Sequence, residues 1–347
     1  MSYAQATQAE MQRLVEAASG GQMTIRYTAR GQASYFYRLR RSEFEATVEP
    51  ALSTNHPAFI IDGVQRDEVL VGAHQAAEVD SEAVSQAGRM PRVNIDHDDA
   101  VELMRATGPG FFVCTTPIYA ALALMARATN VYPRGNNDNG RAWNAPDEFG
   151  VDANGNSTAG GGAEVILAGS GPVEWNHPPT PFGVQNLNGN VWEWSPGQRI
   201  VDGEIQIIAD NGAALIDTDL SGDGPWQAID ATTGDLVDPG SADTVRYATS
   251  GTAAGTLVCS SGAPFSTMTA NGVSAAALTV LKKYGLMSPG GITTVDGFFL
   301  NVSGERLPRR GGGWDNDSRA GVFALHLGSA RSLSSGNIGF RPAFAEV

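Results

Sequence analysis

The 347-residue chain is expected to fold as a loop-rich α+β protein, and three observations carry that expectation. Several short stretches alternate apolar and polar residues with a period of two, as half-buried strands do. A few longer stretches repeat at helical spacing instead. The 42 glycines, with proline, asparagine, aspartate and serine spread throughout, call for many turns. Long loops on a modest core follow, and loops are where binding function tends to sit.

Residues 3–17 suit a short amphipathic helix that Ser19-Gly20-Gly21 ends. From Met23 to Phe44 the pattern alternates, with Gly31 near the turn, and reads as a β-hairpin. Residues 1–54 are therefore set apart as a small helix-plus-hairpin module for oligomerisation or attachment, or as an arm packed on the main body. The main unit, 55–347, opens with His56-Pro-Ala-Phe-Ile-Ile-Asp62 as a strand and continues with Asp67-Glu-Val-Leu-Val-Gly72 as another. Asp96-His-Asp-Asp99 offers potential metal ligands in a row, but acidic residues just before a helix cap its free N–H groups. After the break at Gly108-Pro-Gly110, residues 116–129 form a helix with Pro117 in its first turn. That helix is apolar on most sides and belongs in the core.

Residues 132–162 read as a long surface excursion. Gly189 and Asn190 allow a tight turn into a strand that places Trp192 and Trp194 on one face, as core residues. Residues 198–208 read as a hairpin, 226–260 as strand-like, and 274–285 as a helix with a glycine stop. Asp217, Asp219, Ser221 and Asp223 partly match a calcium-binding loop with Gly222 at its turn. Ala228 replaces the closing glutamate, which favours an Asx turn over a weak Ca²⁺ site.

Toward the C-terminus two kinds of residue interleave. Trp314, Phe323, Leu325, Leu327 and Phe340 look like scaffold, the middle three on alternate positions of a half-buried strand. Between them lie small, polar and turn-prone residues of the kind that supply adaptable contacts.

The run Gly312-x-Trp314, Ala320 to Leu325, Ala330-Arg-Ser and Asn337-Ile-Gly-Phe-Arg-Pro-Ala resembles the variable segment of diversity-generating retroelement proteins. The run Gly189-Asn-Val-Trp-Glu-Trp194 is similar to a hallmark of the formylglycine-generating-enzyme type of C-type-lectin-like fold. The resemblance implies that fold for 55–347, with an insert around 200–295 and a variable segment around 311–341. In that family a reverse transcriptase rewrites adenines of the variable segment, so that chosen asparagine codons become nearly any residue. The positions matching the family's variable sites are Gly313, Asp315, Asn316, Asp317, Arg319, His326, Gly328, Ser329, Leu333, Ser335 and Gly336. An AAC codon randomised at its adenines cannot give Lys, Glu, Gln, Met or Trp, and none stands at these positions.

Function classes narrow from the same residues. A formal charge of −14 disfavours a nucleic-acid partner, which needs clustered Lys and Arg. No apolar run is long enough to span a membrane, and the N-terminus does not read as a secretion signal. In formylglycine-generating enzymes a reactive cysteine follows Gly-Phe-Arg, whereas here Pro342 does; Cys114 and Cys259 read as buried free thiols. The five histidines lack metal-ligand spacing. The expected protein is thus no enzyme and holds no cofactor. It is a binder of a cell-surface protein or glycan, by resemblance a homotrimer at a viral tail or fibre tip, made in the cytosol and attached through residues 1–54. The alternatives are a fixed virion or fibre protein of the same fold, a cell-surface or cytoplasmic display protein, and a formylglycine-type oxidase.

Overall fold

The computed structural model describes residues 3–346; residues 1, 2 and 347, at the outer ends of the two expected units, lie outside the described residues. Helices and strands are mixed along the chain, and the strands gather in two principal sheets.

The first sheet has five strands in the order Met23–Tyr27, Ala33–Arg40, Glu68–Gly72, Pro342–Phe344 and Phe111–Val113, all antiparallel. The expected N-terminal helix spans Tyr3–Ala18, and the hairpin turns through Gly31 at φ 84°. The hairpin is not set apart, however. Its second strand is buried on both faces: Phe36 packs against Phe111 and Phe344, while Leu39 enters the other core cluster. Two apolar faces need two covers, so the strand joins the sheet that also holds the last strand of the chain. The hairpin also ends earlier than expected, because Arg41–Thr47 is a helix that buries Phe44. His56 caps a short 3₁₀ turn, Pro57–Phe59, where a strand was expected to open.

The second sheet has twelve strands. Gly321–Ser329 lies inside it, antiparallel to Glu305–Gly311 and parallel to Phe298–Leu300. The strands Gln198–Val201, Glu204–Ile208, Arg246–Ala248 and Thr256–Val258 extend the same sheet outward from Glu305–Gly311. The region expected as an insert therefore shares the sheet, and its Ile205, Tyr247 and Leu257 share the main core. Helix Thr116–Thr129 is buried along most of its length, as its sequence demands. Asp96 caps helix His97–Thr107, its side chain accepting from Asp99 N–H at 3.0 Å, and Ser274 caps Ala275–Lys283 in the same way. Among the described residues no helix is long and apolar enough to cross a membrane.

The two diagnostic sequence runs meet as paired strands. Trp192–Trp194 lies parallel to Ile338–Phe340, with Trp192 opposite Ile338 and Trp194 opposite Phe340. Asn190 turns into this strand at φ 66°, and its side chain accepts from Ile166 N–H and donates to Gln75. Gln75 in turn donates to Glu193 at 2.9 Å. Glu193 then receives Arg341 in a two-point ion pair, at 2.6 and 2.9 Å, with both side chains buried. Two further N–H groups reach the carbonyls of Gly72 and Gln185, so four of the five guanidinium protons are bonded where the chain crosses from one sheet to the other. Gly339 is glycine for a steric reason: a Cβ there would lie 2.6 Å from the Arg92 carbonyl oxygen.

Candidate functional site

The C-terminal face is organised around Trp192, which is 3% exposed. Three pieces of chain converge on it. The 312–320 loop arrives through Trp314, whose N–H donates to the Asn190 carbonyl at 3.1 Å. The 330–337 loop arrives from the other side, where Asn337 accepts from Trp192 N–H at 2.8 Å. His326, on the Gly321–Ser329 strand, meets the indole edge-on at 5.4 Å and stacks on Phe299 at 5.2 Å. The Arg309 guanidinium lies 5.5 Å from the Trp192 ring and 5.7 Å from Trp194, packed between aromatic surfaces.

The 312–320 loop is held by its backbone. Gly312 takes φ 87° and passes so close to Ala320 that a Cβ would sit 2.5 Å from it. Asn139 N–H donates to the Trp314 carbonyl, Asp317 N–H to that of Asn137, and Gly297 N–H to that of Arg319. Asp315, Asp317 and Arg319 leave their side chains exposed, as does Leu333 on the second loop, where Gly336 is exposed too. The loop geometry thus depends on main-chain groups and on few of the side chains it displays.

Other expected contact positions are built into the frame. Gly313 and Ser329 are buried, Ser329 because the strand is covered on both faces where it was expected to be half-open. A Cβ on Gly313 would meet the Trp192 ring at 3.3 Å. Asn316 spends its side-chain oxygen on Gly313 N–H at 2.8 Å. His326 accepts from Gly328 N–H through Nδ1, and a Cβ on Gly328 would lie 2.8 Å from that ring. Burial, then the neighbouring Arg309 charge, pulls His326 down to about 3, so it is a neutral packing residue. Ser335 is half-buried, its carbonyl accepting from Asn94 N–H.

Among the scaffold residues, Trp192, Trp194, Phe323 and Phe340 are buried. Trp314 is only half-buried, a departure from its expected core role; its backbone, rather than its ring, ties the loop down. Phe299 and Arg309 belong to the face and were not singled out by sequence. Phe299 follows another phenylalanine, and only the register, with Phe299 opposite His326 and His326 opposite Arg309, puts the three on one side of the sheet.

The calcium-like run closes on itself. Asp219 accepts from Ser221 N–H, Ser221 Oγ and Gly222 N–H through one oxygen, and Asp223 pairs with Arg199 at 2.9 Å. That is the Asx turn expected, and among the described residues no cluster of three or more His, Cys, Asp or Glu side chains could hold a metal ion. Cys114 and Cys259 are both buried free thiols, and burial pushes each pKa up.

No family model matches the chain, and no curated protein matches it.

Proposed function

We propose that the chain is a ligand-binding protein of the retroelement-diversified class, with a C-type-lectin-like fold of the formylglycine-generating-enzyme type. Its C-terminal face recognises a protein or glycan on a cell surface. The observation that carries this reading is the division of labour in the 312–337 region. Backbone bonds and buried aromatic rings hold the loops, while Asp315, Asp317, Arg319 and Leu333 project without being needed to hold them. A frame indifferent to the side chains it shows is what a diversified binder requires. The working surface is narrower than sequence alone suggested, because Gly313, Ser329 and Asn316 belong to its support.

The virus-borne receptor-binding reading follows the resemblance, with copies on a tail or fibre raising avidity through effective concentration. Helix Tyr3–Ala18 exposes Met11 and Leu14, which suits attachment or trimer formation through the N-terminal segment. An activated cysteine nucleophile needs a depressed pKa, and burial raises both thiols, which favours binding over oxidase chemistry.

The deciding experiment sequences the DNA around the gene. A near-copy of the codons for roughly residues 311–341, differing only at adenines and lying beside a reverse transcriptase gene, is the expected result. A neighbourhood with neither would put a fixed structural virion protein in first place.

A further inference from the structure

Beside the face, and using none of its displayed side chains, lies a cleft of about 300 Å³. Its far wall comes from the 132–144 excursion, with Tyr132, Arg134, Trp143 and Asn144, and its near wall from Thr294 to Asp296 and the backbone around Gly321. Trp143 is 46% exposed, the largest apolar side chain left open to solvent in the main unit. An indole in that position is costly to leave bare and offers a flat apolar platform with a polar edge. Behind it the groups are polar. Tyr132 Oη is buried and meets no hydrogen-bond partner, which a buried hydroxyl rarely tolerates. Asn144 is exposed, and its side-chain amide makes no hydrogen bond to the described residues. Asp296 is buried at the floor, with one oxygen accepting from Phe323 N–H at 2.8 Å. Gly321 makes room for that carboxyl: a Cβ there would lie 2.3 Å from it.

The charge state of the walls selects the ligand. Arg134, the guanidinium in the cleft, is already engaged at two points by Glu148, so no unpaired cation faces the cavity. A phosphate, sulfate or carboxylate would find no counter-charge, and the −14 chain as a whole repels one. A flat apolar platform backed by hydroxyl, amide and carboxyl groups fits a molecule with one apolar face and a rim of hydroxyls. The volume is at the small end of ligand pockets and suits a single ring.

We infer that this cleft binds a neutral sugar residue, its apolar face on Trp143 and its hydroxyls on Tyr132, Asn144 and Asp296. The site is separate from the displayed positions and does not require them to be diversified. It would give the protein a constant glycan contact beside a changeable one.

Saturation-transfer NMR on the full chain tests this with glucose, galactose, mannose, N-acetylglucosamine and N-acetylgalactosamine, with N-acetylneuraminic acid as the charged comparison. Transfer to the ring protons of at least one neutral sugar is expected. Trp143→Ala should weaken it roughly tenfold or more and Tyr132→Phe roughly two- to tenfold, while Val64→Ala, at an exposed position outside both surfaces, leaves it unchanged. Trp143 is exposed, so its variant should melt near the parent temperature, and that control separates lost binding from lost fold. The inference fails if no neutral sugar shows transfer, if Trp143→Ala binds as the parent does, or if N-acetylneuraminic acid binds more tightly than the neutral sugars. Failure here would leave the diversified face untouched, since Leu333 and Arg319 report on that surface alone.

Discussion

Trp192, on a strand, and Trp314, in the loop beside it, carry different loads. Trp192 is nearly inaccessible and touches Phe299, His326 and Arg309, so replacing it removes contacts on several sides at once. Trp192→Ala should cost about 3–5 kcal/mol in chemical denaturation, as buried aromatics do. Trp314 is half-exposed and works through its main chain, so Trp314→Ala should cost roughly 1–2 kcal/mol. Equal losses at the two positions would mean that the ring of Trp314, too, is part of the core. The role of Trp192 was legible in sequence, because two tryptophans two apart on a strand must share a face. That of Trp314 was not, because exposure of a loop ring depends on where the loop is pinned.

At the scale of elements, the N-terminal hairpin and the 312–337 loops behave oppositely. The Ala33–Arg40 strand shields Glu68–Gly72 from solvent and buries residues on both sides of the sheet. A chain truncated to residues 55–347 should therefore expose an unpaired strand edge and a bare apolar face, and aggregate or lose its cooperative melt. A monomeric, cooperatively folding fragment in gel filtration and thermal denaturation would restore the independent module. The loops should tolerate change instead. Replacing Asp315, Arg319 and Leu333 together should shift the melting temperature little and abolish or redirect binding to the target cell. His326→Ala, by contrast, removes a ring stacked on Phe299 and should destabilise the protein, so it reports on the frame. A large loss of stability in the triple variant would count against those side chains being purely displayed.

The whole molecule carries its histidines as neutral groups, His56, His97 and His177 buried and His74 and His326 half-buried. Burial lowers all five: His56 and His326 to about 3, His74 and His177 to about 4, and His97 in the same direction. Unfolded, each takes up a proton as pH falls through its ordinary 6.5. Between there and about 4 the unfolded state binds more protons, so stability present at neutral pH is lost on acidification. The slope is roughly 1.4 kcal/mol per pH unit for each proton of difference. Asp296, raised to about 6 by burial, has the opposite sign: its contribution is present at low pH and lost as pH rises through that value. Asp210 is raised by burial too, but two carboxyls do not offset five imidazoles, so the urea midpoint should fall clearly between pH 7 and pH 5. A midpoint that does not move would mean that the histidines are more open to solvent than their packing indicates.

The local pattern by itself determined the helices at 3–18, 97–107, 116–129 and 275–283, the cap Asp96, the tight turn at Asn190 and the burial of Trp192, Trp194, Phe323 and Phe340. These follow from contacts within a few residues, which the order of side chains encodes directly. Tertiary structure decided what the pattern could not: that the first hairpin and the last strand share a sheet, that residues 198–258 extend the second sheet, and that the Gly321–Ser329 strand is covered on both faces. It also divided the expected contact positions, holding Asn316 and His326 in the frame and leaving Asp315, Asp317, Arg319 and Leu333 outside. The reason is physical. Period and spacing say which way a side chain points along its own strand, whereas exposure depends on which distant segment packs against that side.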